Sequence, residues 1–135
     1  MLAEVTVPAC GWTTVRPSTA LLPVNELKAT ERLLENDLLR LTLNEKGEIT
    51  SIVDKALLAD GSPAELAAGP CNSLKMYKDV PTWYDAWDID SNYELLPVAL
   101  DAPAAIEVVS AGPLVATLRV TRQLHESLLT QEISL

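Results

Sequence analysis

Alternation of apolar and polar residues with a period of two constrains the fold of this chain more than any other feature. In LLRLTL, residues 38–43, leucines at every second position share one side of an extended strand: Leu39, Leu41 and Leu43. Residues 44–47, NEKG, are turn-forming, and residues 49–53 alternate again. The pattern therefore predicts a β-hairpin in the first half of the chain.

The same alternation returns in the second half of the chain. Residues 105–124, AIEVVSAGPLVATLRVTRQL, predict two strands around the turn SAGP. Residues 127–135, SLLTQEISL, predict a further strand, and residues 72–79, NSLKMYKD, predict one with Leu74 and Met76 on the same face. The residues predicted to face the core around the SAGP turn are Leu114, Ala116, Leu118 and Val120.

Six or seven short strands separated by turns, without a long helical pattern, predict an all-β fold. We expect an antiparallel β-sandwich that is part of a larger one. Residues 31–135 are expected to form this domain, incomplete at its C-terminal end, and residues 1–30 to lead into it from a preceding region. The side chains expected to be largely buried on sheet faces are Leu39, Leu41, Leu43, Leu74, Leu118 and Val120.

Three segments have weaker patterns. Residues 4–17, EVTVPACGWTTVRP, predict a short strand that enters and leaves a turn. Residues 26–34, ELKATERLL, suit either a strand or a helix capped by Asn25. Residues 56–70 contain two glycines and two prolines and predict a loop, in which Ala64–Ala68 suit one helical turn.

The charge of the chain argues against one large class of partners. With 19 acidic and 10 basic residues the net charge is −9, whereas binding to nucleic acid requires clustered Lys and Arg. An anionic membrane surface is disfavoured for the same reason. The sequence also shows no basic leader before an apolar run and no apolar stretch long enough to span a membrane, so we expect a cytoplasmic protein.

The cysteines and the histidine form no recognisable metal or redox motif. Cys10 and Cys71 lie far apart in the sequence, and we expect two free, buried thiols. His125 is the only histidine and is expected to be exposed at a strand end.

The aromatic residues are concentrated in one acidic segment, residues 79–94, which we call the aromatic loop. Two of the three tryptophans of the chain lie in TWYDAWDID, residues 82–90. Aromatic rings that stack on sugars, together with carboxylates that bind sugar hydroxyls, are typical of carbohydrate sites. The same residues also suit a hydrophobic edge of the fold with the aspartates in water. The candidate contact residues are Trp83, Tyr84, Asp85, Trp87, Asp88 and Asp90.

Catalysis or metal binding by this loop finds little support in its sequence. Residues 88–94, DIDSNYE, begin like a calcium loop, but Tyr93 stands where that loop needs glycine and Ala99 where it needs a bidentate glutamate. Glycoside hydrolysis needs one carboxyl group with a raised pKa and another kept ionised, and the sequence nominates neither. No G-x-S-x-G motif surrounds a serine. We therefore assign no catalytic residue, metal ligand or cofactor to the chain.

Two motifs together resemble a known family. LENDLLRLTLNEKGEITSIVDK, residues 34–55, and GPCNSLKMYKDVPTWYDAWDID, residues 69–90, resemble the C-terminal β-domain of the family-38 glycoside hydrolases, the α-mannosidases. The resemblance is strongest from Leu33 to Asp90, and residues 7–17 are similar to the stretch that leads into that domain. From Pro97 onward only the β character is similar.

The resemblance implies a non-catalytic part of a large retaining exo-mannosidase. It implies that zinc is bound by His and Asp residues of an N-terminal α/β catalytic domain, where an Asp forms the glycosyl intermediate. With one histidine this chain supplies no such site. The implied partners are that catalytic domain and a mannose-containing oligosaccharide. The aromatic loop would project toward the catalytic domain, and in the isolated chain its exposed rings predict self-association.

Two other functions fit the same residues. A free-standing carbohydrate-binding or protein-interaction β-sandwich would use the aromatic loop as its contact surface. A purely structural sandwich would use the rings of the loop only for packing.

Overall fold

A computed structural model of the protein describes residues 3–16, 26–56, 58–83, 86 and 89–135. The one helical element among them is a 3-10 helix at Ser91–Leu95, and no helix in this part of the chain is long and apolar enough to cross a membrane. The prediction of an all-β fold is confirmed. The strands are β1 (Lys28–Thr30), β2 (Leu33–Glu35), β3 (Leu39–Leu43), β4 (Ile49–Asp54), β5 (Ala64–Glu65), β6 (Met76–Tyr77), β7 (Pro97–Val98), β8 (Ala105–Ala111), β9 (Ala116–Leu124) and β10 (Ser127–Ser134).

The strands form three antiparallel sheets. The first has five strands in the order β1-β2-β3-β4-β5, and the second has three in the order β10-β9-β8. Strands β6 and β7 form a separate two-stranded ribbon. β1 lies against β8 and β9, and β2 lies against β9, so the two larger sheets face each other as in a sandwich.

The core lies between the two larger sheets, and alternate residues of the strands supply it. Burying a side chain the size of leucine or valine stabilises the fold by about 1.5–3 kcal/mol. The prediction of buried positions is confirmed for Leu41, Leu43, Leu118 and Val120. The complete set of buried apolar side chains in the described residues is Leu34, Leu41, Leu43, Ala116, Leu118 and Val120.

The turn between β3 and β4 forms because Asn44 supplies a local hydrogen-bond acceptor. Its Oδ1 accepts from the backbone N–H groups of Lys46 and Glu48, both at 3.0 Å, as asparagine commonly does in turns. Gly47 then takes a φ of +74°, a left-handed conformation that glycine adopts without a steric penalty. The predicted NEKG turn is confirmed.

Gly47 also brings this turn into close contact with the second sheet. A Cβ atom on Gly47 would lie 2.3 Å from Cγ1 of Val120 and 3.2 Å from Nε of Arg122. The buried Arg122 guanidinium donates to the carbonyl oxygen of Gly47 and, at 2.9 Å, to that of Asn72. Burial lowers the pKa of Arg122. One side chain of β9 thus holds two loops that flank the first sheet.

Glu35, at the end of β2, is a buried carboxylate with two cationic partners. Its Oε1 lies 2.8 Å from Nζ of Lys55 and 3.0 Å from Nη2 of Arg40. Hydrogen bonds from Lys55 and then from Arg40 lower the pKa of Glu35 from 4.5 to about 2. Since a buried carboxylate is costly without partners, these contacts fix β2 against β3, which carries Arg40, and against Lys55, the residue that follows β4.

The weaker patterns of the first half of the chain had mixed outcomes. Of the two alternatives for residues 26–34, the strand is confirmed and the helix is wrong, because β1 and β2 pair as a hairpin that places Leu34 in the core; the proposed cap, Asn25, lies outside the described residues. Ala64–Ala68 form no helical turn, because Ala64 and Glu65 pair with the end of β4 as β5. Residues 3–16 contain no strand and are exposed.

Two predicted core leucines are only half-buried. Leu39 begins β3 at the margin of the core. Leu74 lies outside any strand, because the predicted strand at residues 72–79 is reduced to β6. Asn72 has a φ of +55°, and its side-chain amide exchanges hydrogen bonds of 3.2 and 3.4 Å with Gln131. The backbone therefore departs from an extended conformation at this point.

The prediction for the two thiols is wrong, whereas the prediction for the histidine is confirmed. Both cysteines are free, but Cys10 is exposed and Cys71 only half-buried, so the prediction of buried thiols is wrong. Cys10 lies in a turn closed by a 3.0 Å bond from the N–H of Gly11 to the carbonyl of Pro8, with no core beside it. His125 is exposed in the turn between β9 and β10, as predicted.

Candidate functional site

The aromatic loop is closed at its base by the ribbon of β6 and β7. Tyr77, the last residue of β6, pairs with Pro97, the first residue of β7. Beside this pair the N–H of Lys78 donates to the carbonyl oxygen of Leu96 at 2.9 Å. The two ends of the loop are therefore held at the spacing of neighbouring strands.

Two tyrosines support the loop from its base. The rings of Tyr77 and Tyr93 meet edge to face, with centroids 5.2 Å apart and an interplanar angle of 90°, an arrangement that contributes about 0.5–1.5 kcal/mol beyond area burial. Tyr93 lies in the 3-10 helix, and its pKa is raised chiefly by the negative charge of Glu94. The end of the loop is thereby tied to its beginning.

Asp90 joins two distant points of the loop. Its Oδ2 accepts a hydrogen bond of 2.7 Å from the backbone N–H of Thr82 and another from the Thr82 hydroxyl. These two bonds lower the pKa of Asp90, the hydroxyl contributing most. The carboxylate therefore positions the residue that precedes Trp83.

Large apolar side chains of the loop are exposed to solvent. Trp83 is 88% exposed, although an indole ring offers one of the largest apolar surfaces of any side chain. Leu95, which directly follows the loop, is 79% exposed. The other predicted contact residues, Tyr84, Asp85, Trp87 and Asp88, lie outside the described residues, and the contact roles of all six stay predictions. Exposed large apolar residues in the described part of the loop and in the two residues that follow it are Val80, Trp83, Ile89, Leu95 and Leu96.

The sequence analysis did not include the aliphatic members of this set among the candidate contact residues. Val80 and Leu95 are 54% and 79% exposed, but an isolated aliphatic residue in a sequence reads equally well as part of the core. The available signal was their position within two residues of Pro81 and Pro97, where the chain is unsuited to the interior of a sheet.

A cavity of about 220 Å³ lies beside the base of the loop. Tyr77, Leu100 and the ion pair of Lys46 with Asp101, 2.9 Å long, contribute to its wall. Glu48 also faces this cavity and accepts hydrogen bonds from the side chains of two neighbours, which lower its pKa. Since these charged groups bond to the protein itself, the exposed loop is the better candidate for a contact site.

Within the described ranges, no group of three or more His, Cys, Asp or Glu side chains is placed to hold a metal ion.

Comparison with known proteins supplies the remaining evidence. The family model for the "Glycosyl hydrolases family 38 C-terminal domain" matches residues 34–135. The chain is 32% identical to alpha-mannosidase 2C1 of Homo sapiens and 31% identical to alpha-mannosidase 2C1 of Mus musculus, each over 144 aligned residues. Both alignments cover 99% of this chain, which spans 14% of the length of each relative.

Proposed function

Because the chain belongs to glycosyl hydrolase family 38, within the C-terminal domain of that family, we propose that it is a non-catalytic β-sandwich of an α-mannosidase and packs on the catalytic domain of that enzyme. The parent enzyme would remove terminal α-mannosyl residues with retention, using zinc bound in its catalytic domain. The observation that carries the proposal is the exposed Trp83 on a loop fixed at its base.

The structure of the loop favours binding of a preformed surface. The paired base, the Tyr77–Tyr93 contact and the Asp90–Thr82 bonds fix the described backbone that leads to Trp83 before any partner is present. Ordering a loop on binding costs free energy, so a loop that is already ordered binds more tightly for the same contact area. Exposed aromatic and aliphatic side chains of this kind form the buried centre of protein interfaces.

Contact with the mannose-containing substrate is the second candidate function of the loop. An exposed indole beside an ionised carboxylate is suited to a sugar ring and its hydroxyls, and Trp83 and Asp90 come close together through Thr82. A free-standing carbohydrate-binding module would use the same residues.

The proposal is tested by Trp83→Ala in this chain and in the longer enzyme that contains it. Since Trp83 is 88% exposed, its removal should change the unfolding free energy of the chain by less than about 0.5 kcal/mol. In the longer enzyme it should weaken association of the two domains and lower mannosidase activity. Leu38→Ala is the matched control, because Leu38 is 66% exposed outside the loop, and it should affect neither.

Three outcomes separate the alternatives. If Trp83→Ala destabilises the isolated chain by about 3–5 kcal/mol, the indole is part of an internal core and the interface proposal fails. If the variant affects neither stability nor domain association, the proposal also fails. A mannose-dependent change in the tryptophan fluorescence of the isolated chain that Trp83→Ala abolishes would favour the carbohydrate-binding module.

The isolated chain should release no mannose from a chromogenic α-mannoside, with or without added zinc. Its single histidine cannot provide the paired histidines of the metal site that the family resemblance implies. Zinc-dependent turnover by the purified chain would contradict the non-catalytic role.

A further inference from the structure

The ribbon of β6 and β7, which carries the aromatic loop, is joined to the rest of the fold at the β3–β4 turn. We call residues 71–75, which lead into β6, the entry segment, and residues 99–104, which lead from β7 to β8, the exit segment. Residues 44–48 of the turn bind both segments through side chains and backbone. The position of the ribbon therefore depends on this turn.

The entry segment is bound at Cys71 and at Ser73. Cys71 exchanges backbone hydrogen bonds of 2.8 and 3.0 Å with Ile49, the first residue of β4. The Ser73 hydroxyl donates to Oε1 of Glu48 at 2.5 Å, and the side-chain amide of Asn44 donates to Oε2 of the same carboxylate at 2.8 Å. Because hydrogen bonds to an ionised carboxylate are stronger than those between neutral groups, Glu48 holds the entry segment to the turn.

The exit segment is bound to the same turn at two further points. Nζ of Lys46 lies 2.9 Å from Oδ1 of Asp101. The backbone N–H of Ala104 donates to the carbonyl oxygen of Glu45 at 2.8 Å. Four consecutive residues of the turn and the start of β4 thus contact both ends of the ribbon.

The turn itself is fixed to the second sheet. Arg122 of β9 donates to the carbonyl oxygen of Gly47 and, at 2.9 Å, to that of Asn72 in the entry segment. Gly47 is buried, and it packs so closely on Val120 that a Cβ atom would lie 2.3 Å from Cγ1 of that residue. A turn that is packed in this way is a rigid support for the ribbon.

The cavity of about 220 Å³ at the base of the loop lies where the turn and the ribbon meet, because Lys46 and Glu48 of the turn and Met76 and Val98 of the ribbon all line it. In the described part of the chain, closely packed side chains do not fill this space. The polar contacts of the entry and exit segments therefore determine the angle of the ribbon, and the cavity gives the ribbon room to tilt when they are lost.

We propose that the β3–β4 turn sets the direction in which the aromatic loop faces, with Lys46 and Glu48 as its positioning residues. When their contacts are removed, the ribbon tilts as a unit and its own pairing stays intact. This orientation is a property of the chain and does not depend on the proposed function. Its effect on mannosidase activity rests on the proposed function.

Two substitutions remove one contact from each segment. Lys46→Met removes the ion pair with Asp101 but keeps the apolar stem of the side chain. Ser73→Ala removes the hydroxyl that donates to Glu48 and leaves the turn unchanged. An exposed ion pair changes an equilibrium constant by about 1.4- to fivefold, and a hydrogen bond by about two- to twelvefold. The double variant should therefore raise the population of the tilted ribbon by about three- to sixtyfold.

Arg119→Met is the matched control. The side chains of Arg119 and Lys46 are equally exposed, at 39%, but Arg119 binds Glu107 and Glu132 within the second sheet. This control should leave the ribbon in place. Lys46→Arg keeps the cation and should behave like the unchanged chain.

Amide hydrogen exchange measures the release of each segment. Exchange of a hydrogen-bonded amide reports its local opening. Lys46→Met should speed exchange at Ala104 by about 1.4- to fivefold, and Ser73→Ala should speed exchange at Cys71 by about two- to twelvefold. The N–H of Lys78, which bonds across the ribbon to Leu96, should exchange at an unchanged rate because the ribbon moves as a unit.

Distances between spin labels measure the direction of the loop. Asn92→Cys and Thr130→Cys place one label at the end of the loop and one on β10, both at exposed positions, in a chain whose Cys10 and Cys71 are replaced by serine. The double variant should broaden or shift the distance distribution of this pair. A control pair at Thr30 and Thr130, both on the sandwich and exposed, should keep its distribution.

The longer enzyme separates this proposal from the proposed function. There the double variant should weaken domain association and lower mannosidase activity, while Arg119→Met should do neither. If the label distances change and activity does not, the turn orients the loop and the proposed function is the part that fails.

Three results would overturn the role of the turn. They are label distances that the double variant leaves unchanged, an equal response to Arg119→Met, and exchange at Lys78 that rises together with exchange at Ala104, which would mean that the ribbon unpairs instead of tilting. If Ser73→Ala fails to fold, Lys46→Met and Asp101→Asn decide the question, since Asp101 is 79% exposed.

Discussion

Replacing Gly47 by alanine should destabilise the protein through two separate effects. The φ of +74° at Gly47 is unfavourable for a residue with a Cβ by about 1–2 kcal/mol. The added Cβ would also lie 2.3 Å from Cγ1 of Val120, and relieving such an overlap in a packed core costs about 1–3 kcal/mol. Together the effects predict a loss of about 2–5 kcal/mol, and for a domain of this size a fall in Tm of about 6–20 °C.

Two further glycines separate these effects. Gly61 has a φ of +75° but open space around its Cβ position, so Gly61→Ala should cost only the backbone share, about 1–2 kcal/mol. Gly69 has open space and no positive φ, so Gly69→Ala should be close to neutral. Urea unfolding followed by circular dichroism gives the three free energies. If Gly47→Ala costs no more than Gly61→Ala, the close approach of the β3–β4 turn to β9 is refuted.

Two other predictions concern the core and its buried charge. The pKa of Glu35 is about 2 in the folded protein against an ordinary 4.5, so the stability it contributes is complete above about pH 4.5 and is lost as the pH falls toward 2. Glu35→Gln should flatten the pH dependence of the unfolding free energy in this window, and an unchanged slope in urea titrations would contradict the role of the ion pairs. Leu118→Ala, at a fully buried position, should cost about 2–5 kcal/mol, whereas Leu38→Ala should cost less than about 0.5 kcal/mol; similar losses in thermal melts would show that the core is misplaced.

Local alternation of apolar and polar residues was enough to predict the strands whose pattern and turn are contiguous in the sequence. The β3–β4 hairpin needs only the leucines of β3 and the Asn44 turn, and both are contiguous in the sequence. Residues 26–34 are different, because their apolar spacing fits a helix as well as a strand. The choice is made by β3, which pairs with β2 and places Leu34 in the core. Such a contact with a neighbouring strand outweighs local propensity.

The segment before β6 was mispredicted for a similar reason. Its conformation depends on two contacts of Asn72. Arg122 of β9 donates a hydrogen bond to the carbonyl oxygen of Asn72, and the side-chain amide of Asn72 exchanges hydrogen bonds with that of Gln131 in β10. Both partners lie many residues away in the sequence. Nothing local in NSLKMYKD signals them, so alternation of Leu74 and Met76 predicted a longer strand than the one that forms.

The composition of the aromatic loop located a candidate site but left open what its acidic residues do. In the described part of the loop, Asp90 accepts two bonds from Thr82, and Glu94 lies beside the hydroxyl of Tyr93 at 3.4 Å. These carboxylates bond to the loop itself, while Trp83 and Leu95 face solvent. An apolar surface held in place by internal polar bonds is the usual construction of a protein interface, in which charged residues are depleted from the centre. A sugar site would need carboxylate oxygens turned toward the ligand. The described residues therefore support the proposed packing on a catalytic domain more than the alternative proposal of direct contact with mannose.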